Sequence, residues 1–246
     1  MAKQQFGLVG KNISYSFSKA HFTKKFEDLN LLDYTYENLD FQDISELSNF
    51  IKNNPNLKGL NVTIPYKETI IPFLDKLSKK ASEIGAVNTI RLTKNGKLKG
   101  YNTDYYGFQK ALKPLLRAHH KKALILGTGG ASKAVAYALK QLGIKFNYVS
   151  RTSTGNSIGY SHIDAATFEE FQIIINCTPL GTYPNTNVCP EIPFNYFTSQ
   201  HIAFDLIYNP AETLFLQKAK EQGAIVKNGI EMLVFQAEKA WEIWNK

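Results

Sequence analysis

Residues 123–132 read Ala123-Leu124-Ile125-Leu126-Gly127-Thr128-Gly129-Gly130-Ala131-Ser132. Four apolar residues running into a glycine have the length and composition of a short buried strand. Ala131, Val135, Ala138 and Leu142 follow at helical spacing, so a helix opens directly behind the glycines. Phe146-Asn147-Tyr148-Val149 is the next strand-like run. Strand, glycine turn, helix and strand make one right-handed βαβ unit, and such units build parallel sheets covered by helices. The turn matches G-x-G-x-x-G except that Ser132 holds the last position. Glycines there let the backbone approach a diphosphate, while the helix N-terminus adds N–H groups and the positive end of its dipole. The bland alternative is a tight turn that binds nothing. A P-loop is excluded, because Ser132 precedes Lys133 where that motif requires glycine.

A ribose with a free 2'-hydroxyl is normally met by an Asp or Glu about 20 residues after the glycines. None stands there. From Tyr105 to Ile163 the chain holds no acidic residue, while Lys110, Lys113, Arg117, Lys121, Lys122, Lys133, Lys140, Lys145 and Arg151 all fall inside that stretch. Arg151, just after Tyr148-Val149-Ser150, is placed to grip a 2'-phosphate with its planar guanidinium. The spacing therefore favours NADP over NAD, although an arginine at a strand end is elsewhere simply solvated.

Outward from this unit, the 246 residues are 43% hydrophobic and 20% charged, which suits one or two globular domains and excludes collagen, coiled coil and wholesale disorder. Upstream, Phe6–Val9, Tyr34–Leu39 and Leu57–Ile64 are strand-like, the last halted at Pro65. Between them Phe22, Phe26 and Leu29, then Ile44, Leu47 and Ile51, recur at helical spacing. Asn95-Gly96 is a hairpin turn signal. Downstream, a helix follows Asp104 through Phe108, Leu112 and Leu115, and Ile173–Ile175, Ile202–Phe204 and Ala224–Val226 read as buried strands. The Ser/Gly-rich stretch between Thr152 and Ser161 predicts a short or lost crossover helix. The final helix, from about Ile230, aligns Val234, Ala237, Trp241 and Trp244 on one face and Met232 with Gln236 on another.

Composition also narrows the function. Two cysteines, Cys177 and Cys189, fit a reduced compartment, and no metal-ligand spacing occurs, so no metal site is expected. The N-terminus lacks an apolar signal-peptide core and no long apolar run occurs, which predicts a cytoplasmic protein with no membrane partner. The net charge of +8 suits nucleic acid or small anions. Its concentration between Lys110 and Arg151, without a recognition-helix or aromatic-basic pattern, favours phosphates over nucleic acid.

Four other segments are unusual for loops. Ser14-Tyr15-Ser16-Phe17-Ser18 precedes the first helix, where Ser18 would serve as an N-cap or the alternating hydroxyls would meet a polyol or carboxylate. Asn61-Val62-Thr63-Ile64-Pro65-Tyr66-Lys67 ends a strand with Asn61 and Thr63 on one face and Lys67 just beyond, a surface lysine unless the site uses it. Asn88 opens a strand, and Asp104 stands where a helix N-cap would.

These segments together resemble the shikimate dehydrogenase family, over nearly the whole chain and in the right order. The resemblance rests on Ser16-x-Ser18, on Asn61–Lys67, on Gly85-Ala86-Val87-Asn88-Thr89, on Gly100-Tyr101-Asn102-Thr103-Asp104 with Gly107, and on the glycine turn. Asn176-x-Thr178-Pro179-x-Gly181, Asp205-Leu206-Ile207-Tyr208-x-Pro210 and Gly229–Leu233 followed by Gln236 complete it. Lys19, Ser150 and Thr182 depart from the family, which usually has Pro, Asn and Met there.

The resemblance implies two α/β domains with a cleft between them: a substrate-binding and catalytic domain of residues 1–103 plus 230–246, and a Rossmann-like NADP-binding domain of residues 104–229. It implies reversible NADPH-dependent reduction of 3-dehydroshikimate to shikimate in aromatic amino acid biosynthesis, by a monomer or homodimer. Carried over by position, Lys67 and Asp104 become the catalytic pair, with Lys67 as acid/base. Ser16 and Ser18 would hold the substrate carboxylate; Thr63, Asn88, Asp104 and Gln236 its hydroxyls; and Tyr208 would assist. Gly127, Gly129, Gly130, Ala131, Arg151 and Thr178 would bind the cofactor, whose nicotinamide Gly229 and Met232 would flank. The rival readings are a quinate/shikimate dehydrogenase of broader substrate or NAD use, and a non-catalytic NADP-binding sensor.

Overall fold

The computed structural model describes residues 3–13, 16–152 and 157–246. Ser14, Tyr15 and residues 153–156, parts of two segments singled out above, lie outside the described residues. Two compact units divide the chain: one runs to Thr103 and takes in Ala237–Lys246, the other spans Asp104–Gln236. The second boundary thus falls inside the last helix, where the sequence expectation put it at 229/230.

The first unit is built from β1 (Gln4–Gly10), α1 (Phe17–Asp28), β2 (Tyr34–Asp40), α2 (Glu46–Asn53), β3 (Leu57–Val62), α3 (Tyr66–Thr69), β4 (Lys76–Leu77), α4 (Lys79–Ile84), β5 (Thr89–Leu92) and β6 (Leu98–Tyr101). Among the described residues its sheet runs β2-β1-β3-β5-β6-β4. The β2, β1 and β3 strands are parallel, whereas β5 runs antiparallel to both β3 and β6. Asn95-Gly96 closes the β5–β6 hairpin as its sequence predicts. Two expectations shift by a turn. The β3 strand stops at Val62, because Thr63 donates its N–H to Val9 O (2.9 Å) and accepts from Tyr66 N (2.9 Å), which bends the chain and leaves Ile64 67% exposed. The α1 helix ends at Asp28, so Leu29 is an exposed C-cap rather than a core residue.

An aromatic cluster forms this unit's second core. Phe6, Phe22, Phe26, Tyr36 and Trp244 are buried, with Tyr34 and Trp241 packed against them. Phe22 stacks on Tyr36 at 4.7 Å, and Phe6 lies 4.9 Å from Trp244. The Trp244 indole N–H donates to Ile90 O (2.9 Å), and Lys25 Nζ donates to Glu238 (2.6 Å). These contacts explain why the chain's last ten residues return to a unit whose other residues end at Thr103.

The second unit holds α5 (Asp104–Leu112), β7 (Lys122–Leu126), α6 (Gly130–Gln141), β8 (Lys145–Ser150), β9 (Ser157–Gly159), α7 (Ala165–Glu170), β10 (Ile173–Asn176), β11 (Ile202–Asp205), α8 (Leu214–Glu221), β12 (Ile225–Lys227) and α9 (Ile230–Trp244), the last crossing the boundary. Its sheet is parallel throughout, in the order β12-β11-β10-β7-β8-β9. Counted from β7 this is 3-2-1-4-5-6, the doubly wound order of dinucleotide-binding sheets, and the order reverses between β7 and β10. Where a crossover helix would follow β8, the described chain shows the edge strand β9 and a 3-10 turn, Tyr160–His162, in line with the expected short or lost helix. The α7 and α8 helices are additions to the sequence reading; Asp164 and Thr213 cap them. The β12 strand is half-buried, as an edge strand should be, rather than buried.

Candidate active site

In the second unit the glycine turn lies where strand order reverses, at the carboxyl end of β7. Gly127 has φ +99°, a left-handed conformation that favours glycine, and a Cβ on it would stand 3.1 Å from Thr178 Cγ2. Gly127 and Thr178, assigned to the cofactor from separate motifs, are therefore neighbours. Gly129 caps α6 without a side-chain cap bond, and a Cβ there would meet nothing within 4 Å, so the space in front of the helix N-terminus, where the first N–H groups of α6 have no helical partner, is open at Gly129. That cradle fits a diphosphate. Ser132, in the place of the third glycine, is buried and donates its hydroxyl to Gly129 O (2.6 Å), so the departure from the motif braces the turn. Arg151 is exposed just beyond β8. Burial pushes the Tyr160 phenol up, and the nearby Arg151 charge pulls against it, which sets the two side chains in one neighbourhood.

Thr178 is held by Asn176, the last residue of β10. Asn176 Oδ1 accepts from Thr178 N (3.0 Å) and Thr178 Oγ1 (2.7 Å). Its Nδ2 donates to Asp205 Oδ1 (3.1 Å), on the neighbouring β11. Burial raises the Asp205 carboxyl to about 6, against hydrogen bonds from Thr213, Ile207 N and Asn176 that favour the charged form. Burial also pushes the Cys177 thiol well up, with the Asp205 charge adding to it, which disfavours the thiolate.

Elsewhere in this unit, Asp104 is buried as the first residue of α5. Met232 and Gln236 are buried on α9, and Gly107 lets α5 approach them, since a Cβ on it would lie 2.3 Å from Met232 O. Gly229 is closer packed still: its Cβ would stand 2.1 Å from Leu206 O. Tyr208 is half-buried after β11.

The first unit gathers a buried polar array. Ser16, not Ser18, caps α1: its Oγ accepts from Ser18 N (3.1 Å), and Ser18 sits in the first turn, 8% exposed. Burial pushes the Tyr36 phenol up, while a hydrogen bond with Ser18 acts against this. Tyr36 in turn donates to Asn61 Oδ1 (2.8 Å), and Asn61 Nδ2 donates to Asn88 O (3.2 Å) and Thr89 Oγ1 (3.3 Å). Asn88 closes the chain of contacts, donating to Thr103 Oγ1 (2.9 Å) and accepting from Thr103 N (2.6 Å). Lys67 lies half-buried on the single turn α3; its carbonyl accepts from Val87 N (2.7 Å). Ser18, Asn61 and Asn88, distant in sequence, thus belong to one connected array, with Thr63 and Lys67 beside it in the chain. The links through Tyr36, Thr89 and Thr103 escape sequence reasoning, because aromatic and hydroxyl side chains on strands look like ordinary core or turn residues.

No helix among the described residues is long and apolar enough to cross a membrane, and no cluster of His, Cys, Asp or Glu among them could hold a metal ion.

Comparison with known proteins supplies the kinship. Residues 8–90 match the family model of the shikimate dehydrogenase substrate binding domain. The shikimate dehydrogenase (NADP(+)) of Clostridium beijerinckii is 43% identical over 252 residues, covering 98% of this chain and 92% of that protein. A crystal structure of shikimate dehydrogenase 1 from Peptoclostridium difficile superposes with a TM-score of 0.86 at 41% identity, over 98% of this chain and 91% of the other. The Thermus thermophilus shikimate 5-dehydrogenase, solved in complex with NADP(H) and shikimate, also gives 0.86, at 32% identity over 98% and 93% of the two chains. With relatives this similar along nearly its whole length, the chain belongs to the shikimate dehydrogenase family.

Proposed function

We propose that this chain catalyses the reversible reduction of 3-dehydroshikimate to shikimate with NADPH, in aromatic amino acid biosynthesis. One observation carries the reading: a single chain holds both a diphosphate cradle at the switch point of a doubly wound sheet and, in its other unit, a buried array of hydroxyl and amide groups suited to a polyhydroxylated ring. NADPH supplies a hydride to the substrate's carbonyl carbon, and the protein supplies orientation and a proton. Ser16 and Ser18 hold the substrate carboxylate, and Thr63, Asn88 and Gln236 its hydroxyls, with Tyr208 assisting. Lys67 Nζ gives the carbonyl oxygen its proton and takes it back in the reverse direction, and Asp104 is the second member of the catalytic pair. Gly127, Gly129, Gly130, Ala131 and Thr178 receive the dinucleotide, Gly229 and Met232 flank its nicotinamide, and Arg151 meets the 2'-phosphate.

Incubation with 3-dehydroshikimate and NADPH, followed by chromatographic identification of the product, tests the reaction. Shikimate formed in step with NADPH loss is the expected result; NADPH binding without product would leave a sensor. Arg151→Ala is expected to weaken NADP binding about tenfold or more, the scale of a lost charged hydrogen bond, and to leave NAD binding nearly unchanged. Equal losses in the two titrations would remove the 2'-phosphate contact.

A further inference from the structure

Asp205 carries none of the roles assigned above, yet it is fully buried at the carboxyl end of β11. In the parallel register Asp205 lies opposite Asn176, and Asn176 lies opposite Leu126, the residue before Gly127. The three positions close three of the four inner strands on the side where doubly wound sheets bind ligands.

The hydrogen bonds form a directed chain. Asp205 Oδ1 accepts from Asn176 Nδ2 (3.1 Å) and Ile207 N (3.0 Å), and Oδ2 accepts from Thr213 Oγ1 (2.6 Å). Ile207 N can only donate, so Asp205 Oδ1, which it meets, faces Asn176 as an acceptor. The amide of Asn176 must therefore turn its NH2 toward Asp205 and its oxygen toward Thr178. That orientation matters, because Thr178 N can only donate, and an amide facing the other way would set donor against donor. Asn176 Nδ2 also reaches Leu180 O (3.4 Å), so the amide pins both ends of the Thr178–Leu180 turn. Thr178 spends its hydroxyl proton on Asn176 and takes Leu180 N–H (3.3 Å) on one lone pair. Its second lone pair then suits a donor, such as a ribose hydroxyl.

We infer that Asp205 is a positioning residue for the dinucleotide: through Asn176 it fixes Thr178 as a hydrogen-bond acceptor beside Gly127. The inference rests on the proposed placement of NADPH at the glycine turn. It assigns Asp205 an effect on cofactor affinity rather than on the proton transfer.

The test is NADPH binding to the full chain, read by fluorescence titration, in Asp205→Leu, Thr178→Ala and the double variant. Asp205→Leu keeps the branched shape but removes both acceptor oxygens, so the Asn176 amide loses the partner that holds it, and NADPH affinity is expected to fall about tenfold, the scale of one lost buried hydrogen bond. The KM for shikimate at saturating NADP stays within about twofold, since the change acts on cofactor affinity alone. In the Thr178→Ala background the Asp205 change adds little, because both act through one hydroxyl. A loss confined to Tm, equal in both backgrounds, would reduce Asp205 to a structural residue and overturn the inference. Parental affinity in Thr178→Ala would instead remove Thr178 from the cofactor site, and the inference with it. Should Asp205→Leu not fold, Asn176→Ala severs the same chain with Asp205 intact, and parental NADPH affinity in that variant overturns the inference equally.

Discussion

Lys67→Ala is expected to lower turnover about 10²-fold or more, the scale of a lost general acid/base. The reason lies in how Lys67 is held. Two bonds that fasten the α3 turn do not use the Lys67 side chain: Tyr66 OH donates to Phe41 O (2.7 Å), and the Lys67 carbonyl accepts from Val87 N (2.7 Å). Alanine keeps both anchors, so the Asn88 array, one residue beyond Val87, stays in place. Stability should change by less than about 1 kcal/mol, as for most substitutions away from packed side chains. NADPH affinity should be nearly unchanged, because the cradle belongs to the other unit. Stopped-flow turnover, NADPH titration and thermal melting on one preparation separate these effects. Parental turnover would mean that the proton comes from another group.

Gly229→Ala is expected to cost both stability and activity. A Cβ at this position would stand 2.1 Å from Leu206 O and 2.6 Å from its carbonyl carbon, and both are backbone atoms that no rotamer change can move aside. Gly229 N also donates to Ile207 O (3.0 Å), so the methyl would pry apart the bond that docks the start of α9 on the segment after β11. Overpacking of this kind costs about 3 kcal/mol, or a fall of roughly 10 °C in Tm. Met232 lies one turn further along α9, so displacement of this segment should also cut turnover. Melting and steady-state rates test both; an alanine variant that melts with the parent would show that the Leu206–Gly229 approach is loose in solution.

What the sequence discloses depends on how local each feature is. The β7–Gly127–α6 turn is legible because strand, glycines and helix follow one another within a few residues, and the Asn95-Gly96 hairpin is legible for the same reason. Helical spacing identifies Phe22 and Phe26 correctly but misplaces Leu29, since periodicity does not register where a helix is capped. Either Ser16 or Ser18 could cap α1 by residue type; the choice turns on which Oγ meets the Ser18 N–H, a matter of backbone angle. The α8 helix hides behind an apolar Leu214-Phe215-Leu216 run that suits a strand equally well. Least legible are pairings made across strands. Asp205 meets Asn176, and Tyr36 meets Asn61, only through sheet register, which no spacing along the chain encodes. The tail of α9 joins the first unit through Trp244, whose indole packs where Gly59 has no side chain, and that too is a long-range fit.

The most direct test of the whole account is a crossed initial-rate measurement on the purified protein, shikimate and quinate each against NADP and NAD, followed by reduced-nicotinamide absorbance. The account predicts turnover with shikimate and NADP, with kcat/KM falling steeply when either NAD or quinate is substituted. Comparable rates with NAD would contradict the reading of Arg151, comparable rates with quinate would contradict the substrate assignment, and no turnover in any combination would contradict the proposed activity itself.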